Sequence, residues 1–277
     1  MEKYSLLRER VERSEIVRDE DLQVPAAATD VELGRVHDRQ YIQRVTTGEL
    51  DRKEVRRIGF PWSPELIERS RRSTGATMAA CRAAIQEGIA VNLAGGTHHA
   101  HAGFGEGFCV FNDSAVAARA MQAEGRVSRV VILDCDVHQG NGTASIFRGD
   151  PTVFTFSIHG DGNFPFEKEE SDLDLALQDG ADDARYLEAL DCGLQQSLDR
   201  SRAELAIYLA GADPHERDRL GRLSVTREGL GQRDGMVFDA CRGRGIPVAV
   251  SMAGGYGADV EETVDIHFET VRRAAMA

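Results

Sequence analysis

The chain has 277 residues, 42% of them hydrophobic and 29% charged, with a formal net charge of -13. That length and apolar content suit one large α/β domain with a sizeable core, and the negative field argues against direct binding to nucleic acid or to anionic membranes. The five scattered cysteines, Cys81, Cys109, Cys135, Cys192 and Cys241, form no Cys-x-x-Cys pair, which argues against a disulfide framework or a cysteine zinc site and fits a reducing cytoplasm.

The charged start lacks the apolar core of a signal peptide, and no apolar run approaches the roughly 20 residues of a membrane span. The first sixty residues read as charged helical segments with a loop around Val24–Ala28. Ser63 has the chemistry of an N-cap, with Pro64 at the first helical position and Glu65 behind it. From there the chain alternates. A helix from Thr77 to Glu87 leads into a strand at Ile89–Ala94, and a helix near Asp113–Glu124 into a strand at Val130–Asp134. The next strand lies at Thr152–Ile158. A helix near Ala184–Leu198 precedes a strand at Leu205–Ala210, and one near Arg227–Arg242 precedes a strand at Pro247–Met252. Strands alternating with helices predict a mainly parallel sheet covered on both faces, a three-layer αβα architecture formed by residues 1–277 as one domain.

The functional signal lies at the carboxyl ends of the strands. The five predicted strands run into Gly95-Gly96-Thr97-His98-His99, Asp134-Cys135-Asp136-Val137-His138, His159-Gly160-Asp161-Gly162, Gly211-Ala212-Asp213-Pro214 and Ala253-Gly254-Gly255-Tyr256. Ligands of open parallel sheets bind outside the carboxyl ends of the strands. Asp134, Asp136 and His138 sit at every second position, so a continuing strand would project all three to one face. Such groups are costly to bury alone and call for partners or a metal. Two carboxylates and an imidazole, from Asp136, His138 and Asp213, suit zinc, and suit iron(II) as well.

Other readings stay open on the residues alone. His98 and His99 read as metal ligands, as a proton-transfer pair or as ordinary loop histidines. Tyr256 reads as a donor to a developing oxyanion or as packing, and Phe108 and Phe164 as core or as pocket walls. His101, His159 and His215 read mainly as loop residues, although His159 is placed to line the site. No phosphate-binding or dinucleotide-binding glycine pattern is present.

Taken together, Gly96-Thr97-His98-His99-Ala100, Glu106-Gly107-Phe108-Cys109-x-Phe111-Asn112-Asp113, Asp134-x-Asp136-x-His138-Gln139-Gly140-Asn141-Gly142, Ala210-Gly211-Ala212-Asp213-Pro214 and Gly254-Gly255-Tyr256 resemble the histone deacetylase family. The likeness spans about residues 35 to 270, beginning at His37-Asp38-x-x-Tyr41. Gln139, where many members carry a second histidine, makes the chain most similar to the class IV and related bacterial branch.

The resemblance implies the arginase/deacetylase fold and a zinc-dependent hydrolase that releases acetate and a free amine from acetyl-lysine or an acetylated small amine. It implies that Asp136, His138 and Asp213 bind the metal. His99 would transfer the proton, Asp134 would tune His98, and Tyr256 would polarise the substrate carbonyl. Gly107, Phe108 and Phe164 would line the acyl tunnel, and Asp134 and Ser157 would form a potassium site. Asn141 stands where some members carry an aspartate, so it would sit behind His99 as a weaker partner. Relatives also have an N-terminal strand before the stretch resembling Met1–Tyr4. The chain begins after it, which predicts an uncovered sheet edge and an opened site floor. Two rival readings are a two-manganese ureohydrolase, for which too few carboxylates are found, and a non-catalytic binder of acyl ligands. Oligomeric state is not legible.

Overall fold

Successive residues of a strand face opposite sides of a sheet, and here both sides are apolar. Val131 and Leu133 join one buried cluster, while Val130 and Ile132 join another. Fully burying side chains of this kind contributes about 1.5–3 kcal/mol each, so the alternation fixes the central strand between two helical layers. The computed structural model describes residues 2–277.

The strands are β1 (Ile89–Asn92), β2 (Val130–Asp134), β3 (Val153–Gly160), β4 (Leu173–Leu177), β5 (Leu205–Leu209) and β6 (Val248–Ser251). The helices are α1 (Glu2–Ser14), α2 (Asp30–Leu33), α3 (Arg39–Thr47), α4 (Arg52–Ile58), α5 (Pro64–Glu87), α6 (Asp113–Ala123), α7 (Asn141–Phe147), α8 (Asp183–Ser201), α9 (Arg227–Arg242) and α10 (Val260–Met276). One sheet runs in the order β1-β6-β5-β2-β3-β4, every neighbouring pair being parallel. Parallel strands need crossovers, which the helices supply on both faces. One layer sets Tyr186, Leu190 and Phe238 from α8 and α9 against Val131, Leu133 and Tyr208. The other sets Met78, Cys81 and Val116 from α5 and α6 against Val130, Ile132 and Ile207. No helix among the described residues is long and apolar enough to cross a membrane.

Helix α10 has no counterpart in the sequence expectation, and three other elements differ from it. The helix expected from Thr77 starts at Pro64, because Ser63 Oγ caps Leu66 N–H at 3.1 Å and the same helix then runs unbroken to Glu87. Strand β4 has no counterpart among the expected strands. Its Leu173, Leu175 and Leu177 pack on one side of a half-buried edge strand, and the short run with Asp174 and Ala176 between them does not stand out as an apolar strand. Helix α7, which begins directly at Asn141, is hidden in the sequence by the glycines around it. Strand β1 lies at the sheet edge and pairs only with β6 among the described residues. Met1 itself lies outside the described residues.

Chain direction across the sheet reverses between β2 and β5, which are neighbours. Crevices at such switch points are where parallel α/β sheets bind ligands. The turns after β2 and β5 carry Asp136, His138 and Asp213.

Candidate metal centre and active site

Strand β2 ends at Asp134, so Asp136 and His138 do not share a strand face with it, contrary to the alternation read from the sequence. The turn folds on its own side chains instead. Asp134 Oδ1 accepts from Asp136 N–H at 3.1 Å, and Asp136 Oδ1 accepts from His138 N–H at 2.9 Å. Asp213, from the turn after β5, accepts from Val137 N–H at 2.9 Å and so docks its carboxyl onto the same turn.

The result is a buried group in which Asp136, His138 and Asp213 each offer a ligand atom within 4.8 Å of the others. His138 Nδ1 lies 2.9 Å from Asp136 Oδ1. Asp213 Oδ2 lies 3.3 Å from the same nitrogen, outside hydrogen-bonding geometry, and is buried without a donor. Burial, with Asp136 beside it, pushes Asp213 up to about 7. Burial opposes ionisation of Asp136 as well, but the His98 and His138 rings hold its carboxyl well below the usual range. Burial would lower His138, yet the two carboxylates hold it up at about 10. A buried oxygen without a donor, a second carboxylate and an imidazole nitrogen converging on one point fit a divalent metal.

The turn after β1 delivers the two histidines. It is pinned from behind by Asp113 at the start of α6, which is fully buried and accepts from Thr77 Oγ1 at 2.5 Å, Gly96 N–H at 3.0 Å and Thr97 N–H at 2.7 Å. His98 Nδ1 lies 2.6 Å from Asp134 Oδ2, and its Nε2 lies 3.8 Å from Asp136 Oδ1. Burial works against protonation of His98, but these two aspartates outweigh it and hold the ring at about 9. His99 behaves oppositely: burial first, then the neighbouring His98 and His138 rings, push it well below the ordinary histidine value. Its Nδ1 lies 2.7 Å from Asn141 Oδ1.

Around this pair stand the aromatic residues. Phe164 meets the His99 ring edge-on at 5.0 Å between centroids, and Phe108 lies 5.8 Å from Tyr256. Gly107 closes on His99, where a Cβ would stand 2.6 Å from the ring and the backbone has φ 55°. The Gly107 and Phe108 N–H groups are held by the carbonyls of Arg57 and Ile58 at the end of α4. Phe164 sits on a loop that Lys168 gathers by donating to the carbonyls of Asp161, Asn163 and Pro165 at 3.1, 2.8 and 2.6 Å. Gln139 ties the far end of that loop to the metal turn, donating to Glu169 O at 2.6 Å and Asp174 Oδ1 at 2.9 Å.

The Tyr256 backbone is held by Asp218 and Arg219, and Lys3 of α1 donates to Ala253 O and Gly255 O. Burial raises the Tyr256 phenol, with Asp136 and Asp213 adding to the effect, so it stays a donor at neutral pH. A cavity of about 1660 Å³ opens here and runs from His138 and Tyr256 past Gly96 and Ala253 to Val91 on the edge strand.

Ser157 is in register with Asp134, and its hydroxyl is 2.9 Å from His159 Nδ1. Lys3 and Lys168 are site neighbours that the sequence does not single out, Glu106 stands in it only as part of a motif, and His101, read mainly as a loop residue, is buried beside Asn141; nothing in their spacing tells which strand ends they approach. The same is true of Arg233 of α9. That residue is fully buried behind the Asp213 turn and donates to Gly211 O at 2.5 Å and Asp234 Oδ1 at 2.9 Å. Asp234 also accepts from Tyr208 and Thr270, each at 2.6 Å.

Fold, buried acid–imidazole group and histidine pair together define a hydrolase that acts on acyl amides. The chain belongs to the histone deacetylase family, whose Histone deacetylase domain matches residues 1–271. It is 42% identical over 275 residues to an uncharacterized protein of Picosynechococcus sp., spanning 99% of this chain and 91% of that one. It is 29% identical over 262 residues to Histone deacetylase 2 of Arabidopsis thaliana, spanning 91% of this chain and 67% of that one. With acetoin utilization protein AcuC of Bacillus subtilis it shares 32% identity over 230 residues, or 75% of this chain and 59% of that one. Among solved structures, an HDAC homolog from Aquifex aeolicus superposes with a TM-score of 0.85 at 23% identity, over 98% of this chain and 77% of that one. An acetylpolyamine aminohydrolase from Burkholderia pseudomallei gives 0.75 at 22% identity, over 96% and 88%. At these identities the structural likeness is one of fold, the arginase/deacetylase fold.

Proposed function

We propose that the protein is a zinc-dependent deacylase of one deacetylase-like domain, cleaving the amide of acetyl-lysine or of an acetylated small amine to a carboxylate and a free amine. The observation that carries this reading is the buried Asp136–His138–Asp213 group with a donorless Asp213 oxygen, placed beside two histidines of opposite proton affinity. A divalent ion held by these three side chains would supply Lewis acidity at the acyl carbonyl and make a water more acidic.

The chain's own groups do the rest. His99 is buried and neutral, and its Nδ1 is engaged by Asn141, so its Nε2 can take the proton of the attacking water. Oxygen from that water adds to the acyl carbon, the C–N bond breaks, and His99 returns the proton to the leaving amine. His98, held cationic by Asp134, stands beside the developing negative charge. The Tyr256 hydroxyl donates to the oxyanion. Gly107, Phe108 and Phe164 form the apolar walls along which the amine arm passes. Ser157, with the Asp134 backbone, is our assignment for a potassium ion. Five free cysteines fit a cytoplasmic location.

The test is turnover by zinc-loaded protein of acetyl-lysine peptides, acetylpolyamines and longer acyl-lysines. Turnover of at least one is expected, with His99→Ala lowering kcat by about 100-fold or more. A correctly folded, metal-loaded protein that turns over none of them, or a His99→Ala variant at full activity, would overturn the reading. A binuclear ureohydrolase has less support, because one metal-competent group is found among the described residues.

A further inference from the structure

Asn141 faces His99 with its side-chain oxygen at 2.7 Å, and its amide nitrogen lies 3.2 Å from Glu106 Oε2 and 3.3 Å from His101 Nε2. All of these groups except the half-buried Glu106 are buried. An asparagine amide has two faces, and turned over it would offer N–H to His99 and oxygen to Glu106. The partner that can only accept decides between the two. An ionised carboxylate has no proton to give, so Glu106 requires the N–H face. His101 Nε2, as the lone-pair nitrogen of a neutral ring, takes the second N–H. The Asn141 oxygen is then left for His99, and an amide oxygen can only accept. His99 Nδ1 must therefore carry the ring proton, which leaves the lone pair on Nε2. Glu106 is itself fixed, because its N–H and carbonyl both pair with Cys109 across a tight bridge.

We propose that Glu106 is a positioning residue: its carboxylate sets the orientation of Asn141, and through it the tautomer of His99 that presents Nε2 as a proton acceptor. This rests on the reading of His99 as the proton-transfer residue. A carboxylate one residue further out thus does, by orienting an amide, what an aspartate at position 141 would do directly.

Two measurements test it. In metal-free protein labelled with 15N-histidine, two-bond 1H–15N spectra report the His99 tautomer, the signal being assigned by its loss in His99→Gln. The wild type is expected to show Nδ1–H, Glu106→Ala a mixture of tautomers, and Glu106→Gln, which keeps an acceptor oxygen, largely Nδ1–H. In the zinc-loaded enzyme, Glu106→Ala is expected to lower kcat about tenfold with KM changed less than about twofold, and Glu106→Gln to recover most of that loss. The loss should disappear in an Asn141→Asp background, where a carboxylate accepts from His99 in either orientation.

An unchanged tautomer in Glu106→Ala overturns the proposal. So does an equal kcat loss in both backgrounds, which would mark a merely structural role. If the tautomer shifts as expected but the wild type hydrolyses no acyl amide, the positioning role stands and the functional reading fails.

Discussion

Gly254→Ala separates the metal centre from the fold. Gly254 N–H donates to Asp136 Oδ2 at 2.7 Å, and a Cβ built at Gly254 would stand 1.8 Å from Asp213 Oδ2 and 2.6 Å from Asp136 Oδ2. Ordinary contact needs about 3.5 Å, so the methyl group and the Asp213 carboxylate must part by about 1.7 Å. Metal–ligand distances tolerate only about 0.2 Å. The displacement is several times that margin and falls on two of the three proposed ligands. Overpacking of this size costs about 1–3 kcal/mol of stability, which a well-packed core can absorb. Loss of ligand geometry should weaken zinc binding by about 100-fold, equivalent to about 2.7 kcal/mol. Competition against a chromophoric chelator reads the affinity, and urea unfolding of the metal-free protein reads the stability. A variant that binds zinc as tightly as the wild type would refute the assignment of Asp136 and Asp213 as ligands.

Three further outcomes are expected. Arg233→Met removes the buried cation that faces Asp234 and holds Gly211 O. It should cost about 3–5 kcal/mol in urea denaturation, since one charge of a buried pair is left alone, and a change below about 1 kcal/mol would contradict that account. His37 is held at about 4 by burial, with Nδ1 on His101 O and Nε2 accepting from Asn112 N–H, each at 3.0 Å. The unfolded chain protonates His37 near 6.5 and the folded chain only near 4, so its contribution is complete above pH 6.5 and fades as pH falls towards 4. About 3 kcal/mol should be lost across that window, and the difference in unfolding profile between wild type and His37→Gln isolates it. Lys168→Ala frees the three carbonyls that shape the Phe164 loop. KM for the best acyl substrate should rise by about tenfold with zinc affinity intact, and an unchanged KM would remove the loop from substrate binding.

The parallel sheet and its five polar strand ends are legible in the sequence because each predicted strand is a short apolar run closed by glycine and a titratable residue. Which residues meet is less legible. Asp134, Asp136 and His138 come together through hydrogen bonds within a turn, and the two-residue period that draws attention to them has no part in it. Asp213 is a weak signal by itself, because Asp-Pro after a strand is a common turn, and it is readable only beside the other polar strand ends. Strand β4 escapes notice because its three leucines, with Asp174 and Ala176 between them, form a short run on a half-buried edge. Glu106 and Arg233 reach Asn141 and Gly211, positions distant in sequence, which leaves no mark in local spacing, and Lys168 folds its own loop through backbone carbonyls that carry no residue signature.

The Asp113 carboxylate gathers the Gly96 and Thr97 N–H groups and the Thr77 hydroxyl at the start of a helix packed on the sheet. That arrangement makes the histidine turn part of the cooperative unit, although it is formally a loop. Its amides should exchange with solvent only when the whole sheet opens, as slowly as those of the central strands. Substitutions remote from the site then reach catalysis by depopulating the folded state, so residual activity on heating should track the folded fraction.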